Sequence, residues 1–140
     1  MQRGAAAQPV PGQDLLRRHP HTNLDHWVRD DVAPPSADPI TVVNGAPVVD
    51  EFGNVEGGLG SPYLDVPTST WFGSATGASF CFIAGWERPF TQAQLDALYP
   101  NHGAYVRQVE ASVEGLVDDR IITPSDGRQL IKEAERSDVP

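Results

Sequence analysis

Residues 50–73 run DEFGNVEGGLGSPYLDVPTSTWFG without a hydrophobic period of either 2 or 3.6. Loops longer than about 15 residues are uncommon inside compact domains. A span of this length, in a chain of 140 residues, therefore needs a catalytic role, a ligand, or a larger body to lie against. Its sharpest part is 57–73, GGLGSPYLDVPTSTWFG, in which glycines permit close backbone approach and prolines hold extended segments without needing ladder donors.

The segments around it read as few short strands and helices gathered toward the C-terminus. Residues 1–13 carry Ala, Gln, Gly and Pro without period and are expected to be a flexible lead-in. Residues 22–32 predict a short helix, capped by Thr22 with Asp25 as its box partner and stopped by Pro34-Pro35. Residues 40–43 and 46–49 predict a hairpin, because Asn44-Gly45 supplies the two positive-φ positions of a type I′ turn. Residues 50–54 are a further turn, Tyr63–Val66 a brief strand, and 79–84 (SFCFIA) the strongest strand by composition. Beyond these, Thr91 with Gln94 forms a capping box. Asn101 caps a helix to about Asp119 with the stripe Tyr105, Val109, Val113, Leu116 and Val117. Thr123 caps a last helix with Pro124 at its first position. The fold class is α+β, with three to four helices mostly C-terminal.

Composition removes several functions. Leu, Ile, Val and Phe make up 33 of the 140 residues, enough for a core. A net charge of −9 opposes nucleic acid and anionic lipid, both of which need clustered cations. The longest apolar run, Phe80 to Trp86, falls well short of the ~20 residues of a membrane span. MQRGAAAQPVPGQ lacks the apolar region of a secretory signal, so cytoplasm is the default compartment. The single cysteine, Cys81, sits in an apolar run and is expected as a buried small hydrophobe.

No complete catalytic set is visible. Gly73-Ser74-Ala75-Thr76-Gly77 has its serine one place too early for the strained elbow of G-x-S-x-G, and no G-K-[ST] ends it as a phosphate loop. His19, His21, His26 and His102 lack metal-ligand spacing. Asp50, Glu51, Glu56 and Asp65 flank the long span. Of these Asp65, between Leu64 and Val66, is expected to find hydrogen-bond donors rather than act as an acid. Tyr63, Trp71, Phe72 and Trp86 either line a pocket or anchor the loop, and the acids Glu110, Glu114, Asp118 and Asp119 read as a solvated helix face. No catalytic, cofactor-binding or metal residue is assigned.

Leu24-x-x-Trp27-Val28, Ala33-Pro34-Pro35, Gly53-Asn54, Gly57-Gly58 and Pro62-Tyr63-x-Asp65-Val66-Pro67-Thr68 resemble the C-terminal region of a bacterial alpha/beta-hydrolase-domain family. Pro89-Phe90, Leu98-Tyr99 and Tyr105-Val106 continue the likeness, which runs from about residue 22 to 136. The D-V-P-T piece with its glycine prelude is the specific part, and Gly60 departs from the pattern. The resemblance implies that residues 14–140 are the last part of an esterase-like hydrolase. Its serine elbow, acid and histidine would lie upstream, so the chain by itself would lack them. The partner would then be the missing N-terminal body or a separately encoded chain. The competing reading is a small autonomous module that binds a protein or ligand through loop 57–73. An enzyme working through Cys81 or the histidines is a third.

Overall fold

The computed structural model describes residues 15–76 and 79–140. Its C-terminal half follows from three helix starts. Thr91 Oγ1 accepts from Gln94 N while Gln94 Oε1 accepts from Thr91 N, a reciprocal box that opens α3 (Gln92–Leu98). Asn101 Oδ1 accepts from Ala104 N at 2.9 Å and opens α4 (His102–Asp118). Thr123 Oγ1 accepts from Asp126 N at 3.1 Å, ahead of Pro124, and opens α5 (Pro124–Glu135). Helices α4 and α5 pack together. Val109, Val113 and Leu116 of α4 meet Leu130 and Ala134 of α5, and Ile122, Tyr99 and Val66 close the cluster. The expected stripe on α4 is thus the buried face, with Tyr105 and Val117 packed at its margin.

The N-terminal half is a series of short pairings. Val42–Val43 (β1) and Ala46–Pro47 (β2) form the expected hairpin, with Asn44 at φ 52° and Gly45 at φ 81°. Asp50 Oδ1 accepts from both Phe52 N and Asn54 N at 2.8 Å, which fixes the next turn. Bridges Val49–Val55 and Ile40–Gly57 hold its flanks. A single helical turn, α2 (Pro62–Asp65), leads into β3 (Ser69–Phe72). β3 pairs antiparallel with β4 (Trp86–Pro89) in the register Ser69–Pro89 to Phe72–Trp86. Tyr99 Oη donates to Pro67 O at 2.8 Å and ties this ribbon to the helical core.

Several expectations are corrected. The first helix, α1, spans Leu15–Asp30, so Thr22 lies inside it rather than at its start. The helix formers Leu15, Leu16, Arg17 and Arg18 carry it through Pro20. The segment from Tyr63 is helical, not extended. Pro62 presets a helical φ at the first position, and Ser61 O accepts from both Leu64 N and Asp65 N. Residues Ser79–Ile83 form a 3-10 turn, not a strand, and Cys81 is exposed, not buried. Strand propensity reflects fit to a half-buried pleated surface, and among the described residues no strand pairs with this segment. Both strands of the β3–β4 ribbon fall where irregular structure was expected. The lead-in 1–13 lies outside the described residues.

Much apolar surface is uncovered. Val28 is 77 % exposed and Phe80 75 %, and Leu24, Trp27, Ile40, Val42, Val43, Phe82 and Ile83 are exposed as well. The accessible surface is 10043 Å² for 15.1 kDa, against about 7,100 Å² for a compact chain of that mass. The excess is larger than the roughly 2,000 Å² that residues 1–14 would show if wholly unfolded. Among the described residues no helix is long and apolar enough to cross a membrane.

Candidate functional site

The glycine prelude and the D-V-P-T piece meet α4 across an open cleft of about 530 Å³, lined by Asp38, Gly58, Gly60, Asp65, Ser112 and Asp119 among others. Gly57 shapes its rim. At φ 82° it crosses so close to the segment before β1 that a Cβ would stand 2.7 Å from Pro39 O. Only glycine fits both that angle and that approach. Within its lining, Ser112 Oγ donates to Asp65 Oδ2 at 2.6 Å across 47 residues of sequence.

Chemically this is a hydrogen-bonded, acid-lined cleft. A serine becomes a nucleophile when a base takes its proton, and a carboxylate that only accepts from Ser112 positions the hydroxyl. Neither described imidazole serves the pair: His26 Nδ1 meets Asp30 at 2.8 Å, and His102 lies between the carbonyls of Val139 and Glu135. Among the described residues no group of three or more His, Cys, Asp or Glu could hold a metal ion.

The other candidates scatter. Asp50 caps its own turn, and neither it nor Glu51 or Glu56 lines the cleft that holds Asp65. Asp65 does find a donor, as expected, though it is exposed rather than enclosed by its apolar neighbours. Tyr63 and Trp71 pack edge to face, with centroids 5.8 Å apart, and Trp71 Nε1 donates to Tyr63 O at 3.2 Å. Burial, reinforced by the Glu133 carboxylate, pushes the Tyr63 phenol up to about 12. Its Oη is enclosed and makes no close hydrogen bond, its interaction with the Glu133 carboxylate being a longer one. These two rings anchor the loop to each other. Phe72 and Trp86 stack at 4.0 Å across β3–β4, with the Arg88 guanidinium 5.5 Å from the Phe72 ring centre. Ser74 is exposed beyond β3, and the side chains of His19 and His21 lie outside the description.

Sequence reasoning missed Ser112, which stands as an ordinary polar residue between Ala111 and Val113. It also missed the use made of Asn54. That residue is 1 % exposed; its Nδ2 donates to Ser69 O at 3.1 Å and its Oδ1 accepts from Trp71 N at 2.8 Å. The Gly53-Asn54 motif is a structural fastening.

Searches of curated proteins and of solved structures find no match. A family profile described as alpha/beta hydrolase domain matches residues 7–132, nine-tenths of the chain and all of the motif residues above. The chain belongs to the alpha/beta hydrolase domain family.

Proposed function

We propose that this chain is the C-terminal portion of a carboxylic-ester-hydrolase-like domain, that it covers a catalytic body, and that it does not turn over esters alone. The observation that carries this is the uncovered apolar surface of α1, the hairpin and the 3-10 turn. Of the excess over a compact chain, about 900 Å² remains once residues 1–14 are set aside, close to one partner's share of a standard interface. In this reading acyl transfer uses a serine, a histidine base and an oxyanion hole carried by the body. The acid-lined cleft and the loop anchors give this segment its shape and a share of the wall.

The test is direct. The purified chain is assayed with a chromogenic ester, and its DNA is read upstream in frame. The expected results are no turnover above a heat-treated control and an upstream G-x-S-x-G segment. Robust hydrolysis abolished by one substitution in this chain would overturn the proposal.

The alternative, an autonomous binding module, draws on the self-contained cluster of Tyr99, Val113 and Leu130. It predicts one cooperative thermal transition and a monomer at all concentrations. In this alternative the ligand surface is loop 57–73, whose Tyr63 and Trp71 pack edge to face.

A further inference from the structure

His102 is the first residue of α4, and its ring lies between two main-chain carbonyls. Nδ1 is 2.7 Å from Val139 O and Nε2 is 3.2 Å from Glu135 O. A carbonyl oxygen only accepts, and a neutral imidazole carries one N–H. Both contacts are hydrogen bonds only when both ring nitrogens are protonated. We infer that His102 is a protonation-dependent latch that holds the segment after α5, residues 136–139, against the start of α4.

The position suits a cation on one side. Glu135 is the last residue of α5, so its carbonyl belongs to the unpaired set at the negative end of that helix. The positive end of α4 acts in the opposite sense, and the two carbonyl contacts offset it. The latched segment is not idle. Val139 packs against the core beside Tyr105, whose ring centre is 6.4 Å from that of His102. Ser137 N and Oγ both donate to Ala134 O, at 3.1 and 2.8 Å, which brings the chain round toward His102.

When the second proton leaves, one nitrogen still donates and the other turns a lone pair on a carbonyl oxygen. The shorter contact, to Val139, keeps the proton, and the Glu135 contact becomes repulsive. The charged and titratable side chains within about five residues of the two contacts are Tyr99 before α4, Tyr105 and Arg107 of α4, Lys132, Glu133 and Glu135 of α5, and Arg136 and Asp138 beyond it. All are exposed except Tyr99 and Tyr105, whose phenols are pushed up by burial and stay neutral. No described carboxylate bonds to the ring in place of the carbonyls.

The latch is tested on the full chain by ¹⁵N spectra of the His102 ring and amide exchange of residues 137–139. Both are recorded at about pH 5.5 and about pH 8.5, either side of the interval in which imidazoles change charge. The expected result is two ring N–H groups and protected amides at the lower pH. At the higher pH, one N–H is lost and protection, corrected for intrinsic exchange, falls by about tenfold, the scale of one charge-assisted bond. His102→Gln, which donates without charge, is expected to show equal protection at both values. A single ring N–H at both values with the segment still protected overturns the latch. So does pH-dependent protection that survives in His102→Gln. The ring spectra of the unaltered chain decide the matter even if the variant does not fold.

Discussion

The side chain of Asn54 stands beside Trp71 as the backbone of a neighbouring strand would. Phe90 N donates to Thr68 O at 2.9 Å, so in this register residues 68, 70 and 72 exchange bonds with β4. Ser69 and Trp71 therefore point their main-chain groups the other way, and the Asn54 amide receives both, donating to Ser69 O and accepting from Trp71 N. One primary amide replaces a peptide unit and closes that edge of a two-stranded ribbon. Asp50 in turn fixes Asn54 by accepting its N–H.

Asn54→Ala is expected to cost about 2–4 kcal/mol, because two buried main-chain groups lose their partners together. Asn54→Asp keeps the shape but replaces the donor facing Ser69 O with a second acceptor, and is expected to be no better tolerated. Urea denaturation at neutral pH measures both. A loss below about 0.5 kcal/mol in either would mean that the amide does not close the edge.

Two tyrosines give unequal outcomes for the same substitution. Tyr99 Oη donates to Pro67 O at 2.8 Å inside the core, so Tyr99→Phe leaves an orphaned carbonyl and is expected to cost about 1–2 kcal/mol. Tyr63 Oη is enclosed with no close hydrogen bond and only a longer interaction with the Glu133 carboxylate, so Tyr63→Phe is expected to cost less than Tyr99→Phe by about 1 kcal/mol. Parallel denaturation curves of the two variants check the contrast; equal losses would refute it.

The same burial sets the alkaline limit. Tyr63 and Tyr99 are pushed to about 12, first by desolvation, then by Glu133 for Tyr63 and by Tyr105 for Tyr99, and Tyr105 is raised by its own burial. A phenol whose value is higher in the folded chain than its ordinary 10.0 keeps its proton while the unfolded chain releases one. The stability this contributes is whole below the unfolded value and is lost as pH rises through about 12. These are all three tyrosines of the chain. Phenolate absorbance is therefore expected to stay low in the native protein where the chain in denaturant already absorbs fully. Coincident titration curves would contradict the burial.

What was legible in the sequence was local. Thr91, Asn101 and Thr123 declare helix starts because a cap and its partner lie within three residues, and Asn44-Gly45 declares its turn for the same reason. What was hidden depends on distant partners. Ser69–Phe72 becomes a strand because Asn54 and β4 receive its main chain, and Phe80–Ile83 does not because no described strand pairs with it. The cleft was half visible: Asp65 invited a donor, but its donor, Ser112, lies 47 residues away on a face that reads as solvated.

Glycine at 57 is expected to be far less replaceable than glycine at 45. Both have positive φ, which an alanine resists by about 1 kcal/mol. At Gly45 nothing lies within 4 Å of an added Cβ, so that penalty is the whole effect. At Gly57 the Cβ also meets Pro39 O at 2.7 Å and Thr41 N at 3.2 Å, both backbone atoms that move only with the Ile40–Gly57 bridge. Gly57→Ala is expected to cost more than Gly45→Ala by about 2 kcal/mol, measured by thermal denaturation.

The uncovered side chains separate docking from folding. Trp27 and Phe82 are exposed on elements outside the hydrophobic core cluster. Trp27→Ser and Phe82→Ser are therefore expected to leave the unfolding free energy unchanged within about 0.5 kcal/mol. The same changes are expected to lower self-association and apolar-dye binding, because exposed apolar surface drives both. Sedimentation velocity over a concentration series, run beside denaturation, reads the two effects independently. A variant that unfolds more easily would place that side chain in the chain's own core. Unchanged stability together with unchanged association would remove the surface from any docking role and leave the covering function without its support.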